Sequence, residues 1–297
     1  MTTTTTAAAA GTWQLGDLPV NRLGFGAMRL TGTAAFDQGT PRDRETSIRV
    51  LRRAVELGVN HIDTASFYFS WLRSANELIN SALNPYADDL VVVTKVGPGR
   101  GPDGEWYTAT PEQLRGQVEE NLRQLGRDHL DVVNLRRQVS LTSVSEHFGA
   151  LAELQQAGLI RHLGVSNVNA THLAEAQAIA PVVCVQNKYH LDGGANNEML
   201  RLCGEQGIAF VPFYAIAGQR TEAGVAAAPG ESEQVETVAR AHGVSTAQVR
   251  LAWTLSQGPH VLAIPGTGDP AHLEDNVAAA ALRLTPEDLA LLATVTG

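Results

Sequence analysis

The chain has 297 residues, 44% of them hydrophobic and 18% charged, a composition that supports a sizeable core and argues against disorder of the whole chain. The net charge of -9 is spread without a long basic run, so neither nucleic acid nor an anionic membrane is expected as a partner. No stretch approaches the roughly 18 apolar residues of a membrane helix, which favours a cytoplasmic protein. Cys184 and Cys203 are predicted to be reduced and buried, and they are too few for a disulfide framework or a metal site.

The first residues differ in composition from the rest of the chain. Residues 1–10 read MTTTTTAAAA and are predicted to form a disordered tail, followed by a single domain over residues 11–297. The segment before Leu23, which contains Trp13, Leu15 and Leu18, is predicted to form a short hairpin that caps the bottom of this domain.

Eight short runs rich in β-branched residues follow and alternate with longer amphipathic stretches. The runs begin at Leu23, Val59, Leu90, Asp131, His162, Val182, Ile208 and Val261. Helix starts are marked by capping-box spacings, in which Thr110, Ser245 and Thr285 each stand three residues before a Gln or Asp partner. This alternation predicts parallel strands with crossover helices, and eight such units close an α/β barrel of the (β/α)8, or TIM, type in a single domain. A doubly wound open sheet is the alternative.

Two long loops follow predicted strands, from Gly97 to Tyr107 and from Gly218 to Ser232. Both lie on the side where barrel enzymes carry their chemistry. The first loop spells Gly-x-Gly-x-x-Gly from Gly99, but a dinucleotide-binding turn must lead directly into a helix. Here Pro102 intervenes and the helix begins only near residue 110, so this match is interpreted as accidental.

Polar residues stand at the ends of several predicted strands, where a closed barrel would bring them to one rim. These residues are Asp63, Lys95, Arg136, Ser166, Asn167 and Gln186, with Tyr68 on the loop after Asp63. An ion pair that only satisfies the rim explains any one of them about equally well, because buried charges need partners. The set as a whole indicates proton donation. A phenol in water has a pKa of about 10, and a neighbouring ammonium stabilises the phenolate.

Five motifs resemble those of the aldo-keto reductases and occur in the same order. HIDTASFY from His61 resembles the Asp-Thr-Ala-x-x-Tyr signature, and VVVTK resembles the lysine motif of strand three. GVSN from Gly164 and VQNKY from Val185 resemble the motifs of strands five and six. IPGTGDPAHLEDN from Ile264 resembles the cofactor-binding segment after strand eight. The resemblance implies an oxidoreductase that reduces an aldehyde or ketone with NADPH or NADH, as a monomer or small homo-oligomer.

The resemblance also implies catalytic roles. Tyr68 would be the general acid, Lys95 would assist its proton transfer, and Asp63 would hold Lys95. Phe67, Trp71 and Trp106 would shape the substrate pocket, although packing of the loop onto the barrel explains any one of these aromatic residues at least as well.

The same resemblance implies a set of cofactor contacts. Ser166, Asn167 and Gln186 would bind the nicotinamide carboxamide. Phe213 would stack on the nicotinamide ring, with Phe210 and Tyr214 as alternatives. The remaining contacts would be Gly218 over the pyrophosphate and Thr267, His272, Asp275 and Asn276 at the adenosine half.

Two positions depart from the family pattern. Arg136 stands where the family usually has a catalytic histidine; a permanently charged guanidinium could hold the carbonyl oxygen or an anionic substrate, and a rim salt bridge is the alternative. Gly266 and His272 stand where NADPH-preferring members often carry Lys or Arg, so NADPH is expected from the family and NADH stays open. These departures keep alive a nucleotide-binding regulatory or sensor module with little turnover; a barrel lyase or isomerase is the third interpretation.

Overall fold

The computed structural model describes residues 5–32, 40–70, 72–101, 105–193, 197–216 and 232–295. Its strands are β1 (Thr12–Leu15), β2 (Leu18–Asn21), β3 (Phe25–Gly26), β4 (His61–Asp63), β5 (Phe69–Ser70), β6 (Arg73–Ser74), β7 (Val91–Val96), β8 (Pro98–Arg100), β9 (Trp106–Thr108), β10 (Leu130–Arg136), β11 (Ile160–Ser166), β12 (Val182–Gln186) and β13 (Ala209–Phe210). Its helices are α1 (Arg44–Glu56), α2 (Ala75–Leu83), α3 (Pro111–Leu125), α4 (Ser145–Gln156), α5 (Ala170–Gln177), α6 (Glu198–Gln206), α7 (Glu233–His242), α8 (Thr246–Ser256), α9 (Pro270–Ala278) and α10 (Pro286–Leu292). None of the helices in these ranges is long and apolar enough to span a bilayer.

A parallel sheet of β3, β4, β7, β10, β11, β12 and β13 curls around the centre of the molecule, each strand beside its neighbour in this order. The segment 261–263 closes the curl, because Val261 bridges to Phe210 and Ala263 bridges to Leu23, both in parallel. Leu262 N donates to Phe210 O at 2.9 Å, and Gly24 N donates to Ala263 O at 2.8 Å. The (β/α)8 prediction is confirmed, and the doubly wound alternative is wrong.

The buried apolar residues form two clusters, one inside the barrel and one between the barrel and its helices. Along β7, Val91 and Val93 belong to the inner core, whereas Val92 packs beneath the helices, as the alternation of side chains along a strand requires. Leu15 and Val20 of the antiparallel β1–β2 hairpin join the inner core. The predicted hairpin therefore caps the barrel at the end opposite the strand termini that carry Asp63 and Arg136.

The helix starts follow the local signals in the sequence. Thr110, Ser245 and Thr285 form capping boxes with Gln113, Gln248 and Asp288. The hydroxyls of Ser245 and Thr285 accept from Gln248 N and Asp288 N, and Thr110 N donates to Gln113 Oε1 at 2.9 Å.

Of the two long loops predicted, one contains a hairpin and the other lies almost entirely outside the described residues. Part of the loop expected from Gly97 to Tyr107 is the antiparallel hairpin β8–β9, in which Gly99 stands opposite Tyr107. A side chain at Gly99 would collide with the ring of Tyr107, so the glycine allows this pairing. The other loop lies outside the described residues up to Ser232, which caps α7 by accepting from Val235 N.

The prediction of a disordered tail is wrong for residues 7–10. Ala7–Ala10 form a turn of 3-10 helix in which Ala7 is fully buried, and Ala7 N donates to Leu57 O at 2.9 Å just after α1. The small methyl groups let the segment pack closely, and this explains why a sequence without periodicity is ordered here. Residues 1–4 lie outside the described residues.

Arg22 joins the beginning of the barrel to its end. Its guanidinium donates to Leu255 O at 2.5 Å, to Gly258 O at 2.6 Å and to Val261 O at 3.2 Å, all near the closing segment. It also donates to Ala10 O at 3.1 Å, so the amino-terminal turn is held at the same point.

Candidate active site

A cavity of about 220 Å³ opens at the carboxyl ends of the barrel strands. Parallel strands all end at this rim, so residues far apart in the sequence converge here. Seven of the predicted site residues line the cavity: Asp63, Phe67, Tyr68, Lys95, Arg136, Gln186 and Phe213.

A buried ion pair forms the floor of the cavity. Lys95 Nζ donates to Asp63 Oδ2 at 2.6 Å and to Thr64 O at 3.0 Å, and the two charged side chains are only 2% and 4% exposed. Gln186 Nε2 donates to the other carboxylate oxygen of Asp63 at 2.7 Å. Burial on its own would lower the pKa of Lys95, but the Asp63 carboxylate and Tyr68 outweigh it, and the pKa stands above its usual value. Lys95 is therefore a fixed ammonium group at neutral pH.

Tyr68 lies directly above this ion pair. Its backbone closes a turn, with Tyr68 N donating to Ala65 O at 3.0 Å and Ala75 N donating to Tyr68 O at 2.9 Å. Lys95 Nζ lies 4.9 Å from the centroid of the Tyr68 ring, and hydrogen bonding with Tyr68 is one of the influences that raise the pKa of Lys95. Phe67 packs edge-on against Tyr68 at 5.3 Å and fixes the ring laterally. A phenol, an ammonium and a carboxylate thus meet in one place.

Arg136 ends β10 and reaches the cavity from the side of β11. It pairs with Ser166 in register, and Arg136 Nη1 donates to Ser166 Oγ at 3.3 Å. Its guanidinium carbon lies 5.1 Å from the centroid of the Phe213 ring, within cation–π range. The rim salt bridge that was the alternative for Arg136 is absent among the described residues. The neighbouring Arg137 points away and donates to Asn167 O and Leu141 O at 2.9 Å.

The cavity also offers features that fit a nicotinamide. Gln186 Oε1 is buried without a hydrogen-bond donor among the described residues, which is costly unless a ligand supplies one. A carboxamide NH2 would be such a donor, and the Phe213 ring beside it offers an apolar face for a flat heterocycle. The residues present therefore fit the group that the resemblance implies.

Two glycines let the backbone come close at the mouth of the cavity. A side chain on Gly26 would approach Ile264 O within 2.7 Å, and one on Gly266 would approach Gly26 O within 2.5 Å. Strand β3 and the segment after Ala263 can therefore meet only as glycine backbone, which brings peptide groups to the cavity wall.

Other predicted cofactor residues lie outside this cavity. Asn167 adopts a positive φ of 61°, and its Nδ2 donates to Arg137 O at 2.8 Å. Thr267 Oγ1 accepts from Asp269 N at 3.0 Å, ahead of α9. On α9, His272 is exposed, Asn276 is buried, and Asp275 accepts a hydrogen bond from Ser245 Oγ at 2.6 Å. The contact of Asn167 with the nicotinamide carboxamide and those of the other four residues with the adenosine half stay predictions.

The predicted aromatic residues separate into different environments. Phe67 lines the cavity, whereas Trp106 is 43% exposed and packs edge-on against Phe67 at 5.8 Å. Trp71 and Gly218, also predicted to belong to the site, lie outside the described residues. No group of three or more potential metal ligands occurs in the described ranges.

Two arginines near the site were not found by sequence reasoning. Arg29 lines the cavity, and Arg42 Nε donates to Arg29 O at 2.9 Å. The Arg42 side chain packs against Gly268, where any side chain would collide with it. In the sequence, only the run GFGAM just before Arg29 indicated that this segment lies near the site, and no motif includes Arg42.

Comparisons with known proteins agree with this geometry. The model of the Aldo/keto reductase family matches residues 22–296. A pyridoxine 4-dehydrogenase of Escherichia coli strain K12 is 45% identical over 96% of this chain and 98% of its own length. A probable aldo-keto reductase of Glycine max is 30% identical over 91% and 84%.

Solved structures show the same architecture. An aldo/keto reductase from Klebsiella pneumoniae, solved with NADP and acetate, has a TM-score of 0.74 and 27% identity and covers 92% of this chain and 90% of its own. The family uses NAD(P)H and acts on small carbonyl compounds. With the buried ion pair, the tyrosine and the barrel in place, the chain belongs to the aldo-keto reductase family.

Proposed function

We propose that the protein reduces an aldehyde or ketone to an alcohol with NADPH, and that Tyr68 is the general acid. The observation that carries the proposal is the Asp63–Lys95 pair, which holds a buried ammonium within 4.9 Å of the Tyr68 ring centroid. A buried charge pair of this kind is expensive to desolvate, and its placement beneath a tyrosine in a cavity favours a catalytic use.

Each residue of the site has a separate role in the proposed reaction. A nicotinamide held beside Gln186 and Phe213 would supply the hydride. Tyr68 donates its hydroxyl proton to the substrate oxygen, and the Lys95 ammonium stabilises the phenolate that remains. Asp63 and Thr64 O keep that ammonium in position. Arg136, held by its hydrogen bond to Ser166, stabilises negative charge on the substrate oxygen.

For the substrate, we infer an aromatic aldehyde and its alcohol. The apolar lining from Phe67, Phe213 and Ile216 suits a flat ring. The 45% identical relative is named for oxidation of pyridoxine at its 4 position, so pyridoxal and pyridoxine are the first pair to examine.

For the cofactor, we propose a preference for NADPH over NADH. Gly266 and His272 bring no Lys or Arg to the segment before and within α9. Arg42 supplies a cation there instead, because its side chain rests on Gly268. A cytoplasmic location and a monomeric or small homo-oligomeric state complete the proposal.

The decisive experiment replaces Tyr68 by Phe, which keeps the ring and removes the proton. We expect kcat for pyridoxal reduction to fall by about 100- to 10,000-fold, with the Kd for NADPH unchanged in a fluorescence titration. Tyr86→Phe is the matched control, since the Tyr86 hydroxyl donates to Leu125 O at 2.7 Å away from the cavity. Wild-type protein that binds NADPH but reduces no carbonyl would instead favour the regulatory or sensor module.

A further inference from the structure

The Arg136 guanidinium carries a charge that no carboxylate neutralises within the described part of the chain. Two other arginines of low exposure are paired with carboxylates, Arg127 with Asp131 at 2.7 Å and Arg250 with Asp192 at 2.9 Å, whereas Arg22 and Arg137 donate to several backbone carbonyls instead. Among the described residues, the hydrogen-bond partner of the Arg136 guanidinium is the hydroxyl of Ser166, at 3.3 Å from Nη1, and its other contact is with the face of the Phe213 ring. An arginine placed in a cavity without a counter-ion is set up to bind an anion.

The remaining charges of the cavity floor do not supply that anion. Asp63 is the carboxylate that lines the cavity, and both of its oxygens already accept hydrogen bonds, from Lys95 at 2.6 Å and from Gln186 at 2.7 Å. Since Lys95 and Asp63 neutralise each other, Arg136 adds a positive charge near the reacting tyrosine, and Arg29 is a second arginine that lines the cavity. A substrate that carries a negative charge is therefore favoured over its neutral analogue.

The shape of the guanidinium restricts where that negative charge can be. Arg136 Nη1 faces Ser166, whereas Nε and Nη2 have no acceptor among the described residues. This edge offers two parallel N–H groups in a fixed fork, which fits two oxygens side by side better than one. Arg136 and Tyr68 line the same cavity, so a single substrate can place its carbonyl oxygen against both groups.

We propose that Arg136 selects aromatic aldehydes that carry an ionised hydroxyl on the ring carbon next to the aldehyde. In such a compound the carbonyl oxygen and the phenolate oxygen lie side by side, and the guanidinium edge binds both. This inference rests on the proposed reductase function and specifies its substrate class. The hydride and the Tyr68 proton go to the carbonyl group as before, and the phenolate oxygen is bound but unchanged.

The walls of the cavity decide between this class and the other compounds with paired oxygens. A 2-oxo acid also presents a carbonyl oxygen beside an anionic oxygen, but it does not require an aromatic ring. Met28, Phe67, Phe213 and Ile216 give the cavity apolar and aromatic walls, which stabilise a ring rather than a small hydrophilic acid.

The first test compares kcat/KM for 2-hydroxybenzaldehyde with that for 3-hydroxybenzaldehyde, with NADPH as the reductant. We expect wild-type protein to favour the 2-hydroxy isomer by about 10- to 150-fold, the range for a charge-assisted hydrogen bond. Arg136→Lys keeps the charge without the fork, so the ratio should fall several-fold. Arg136→Met should bring the ratio to within about threefold of unity. Arg137→Lys is the matched control, because it makes the same change one residue away and outside the cavity.

A second measurement follows binding without turnover. With NADP+ in place of NADPH, the absorbance of 2-hydroxybenzaldehyde reports whether its hydroxyl is ionised at each pH. Binding to wild-type protein should lower the pKa of this hydroxyl by about one to three units, and binding to Arg136→Met should not.

The results that would contradict the reductase function differ from those that would contradict the role of Arg136 or the substrate class. If wild-type protein reduces no aldehyde with either nucleotide, the proposed function fails. If it reduces both isomers with a ratio near unity, or with the same ratio in Arg136→Met, the role of Arg136 is refuted while the reductase function stands. If phenylglyoxylate is preferred to 2-hydroxybenzaldehyde and Arg136→Met abolishes that preference, the substrate class is the 2-oxo acids and the present inference is wrong.

Discussion

The Asp63–Lys95 pair affects stability and catalysis in ways that can be separated. Lys95→Met leaves the Asp63 carboxylate buried, with the Gln186 amide as its remaining described donor. Leaving one member of a buried pair without its partner costs about 3–5 kcal/mol of unfolding free energy. For a chain of this size, at roughly 2 °C per kcal/mol, the Tm should fall by about 6–10 °C. Asp63→Asn combined with Lys95→Met removes both charges and should recover at least about 1 kcal/mol of that loss.

Activity should not recover with stability. The double variant still lacks the ammonium beside Tyr68, so kcat should stay at least about 100-fold below wild type. Thermal unfolding and steady-state rates, measured on the same preparations, provide both numbers. Arg127→Met is the control, since it breaks the largely buried pair with Asp131 at 2.7 Å and should lower Tm while kcat is maintained. A double variant that regains wild-type kcat would refute the assignment of Lys95 to proton transfer.

Two other predictions concern acid stability and the cofactor. Burial, opposed by Asp63 and reinforced by Lys95, lowers the pKa of His61 to about 4, below the unfolded value of 6.5. The contribution of His61 to the free energy of unfolding is therefore complete above pH 6.5 and declines toward pH 4, with about 2 kcal/mol lost by pH 5. His61→Leu should lack this decline. Equal acid sensitivity of wild type and His61→Leu in urea unfolding would contradict the reasoning. Arg42→Ala should raise the Kd for NADPH about tenfold or more and change the Kd for NADH less than about twofold, as nucleotide fluorescence titrations would show. Exposed Arg44→Ala is the control, and equal weakening of both nucleotides would exclude a contact with the 2′-phosphate.

The position of the Asp63–Lys95 pair could be predicted because it follows from strand geometry. Asp63 stands opposite Val93 in the β4–β7 register, so Lys95 lies two residues further along the neighbouring strand and faces the same side. The capping boxes at Thr110 and Ser245 were equally accessible, since each depends on residues three positions apart.

The features that sequence reasoning missed depend on contacts between distant segments. Ala7 is ordered by the end of α1, and Arg42 is placed by the absence of a side chain on Gly268. Neither contact leaves a periodic pattern. The substitution at Arg136 was visible in the sequence, but its lack of a carboxylate partner among the described residues depends on which side chains reach the rim, and only the fold determines that.

Arg22 has a consequence for how the molecule is completed during synthesis. The carbonyl groups that it gathers from Leu255, Gly258 and Val261 leave the ribosome 233–239 residues after it does. Until then this guanidinium must remain hydrated, because burying it without acceptors would be costly. The last joint of the cylinder can therefore form only when nearly the whole polypeptide has emerged.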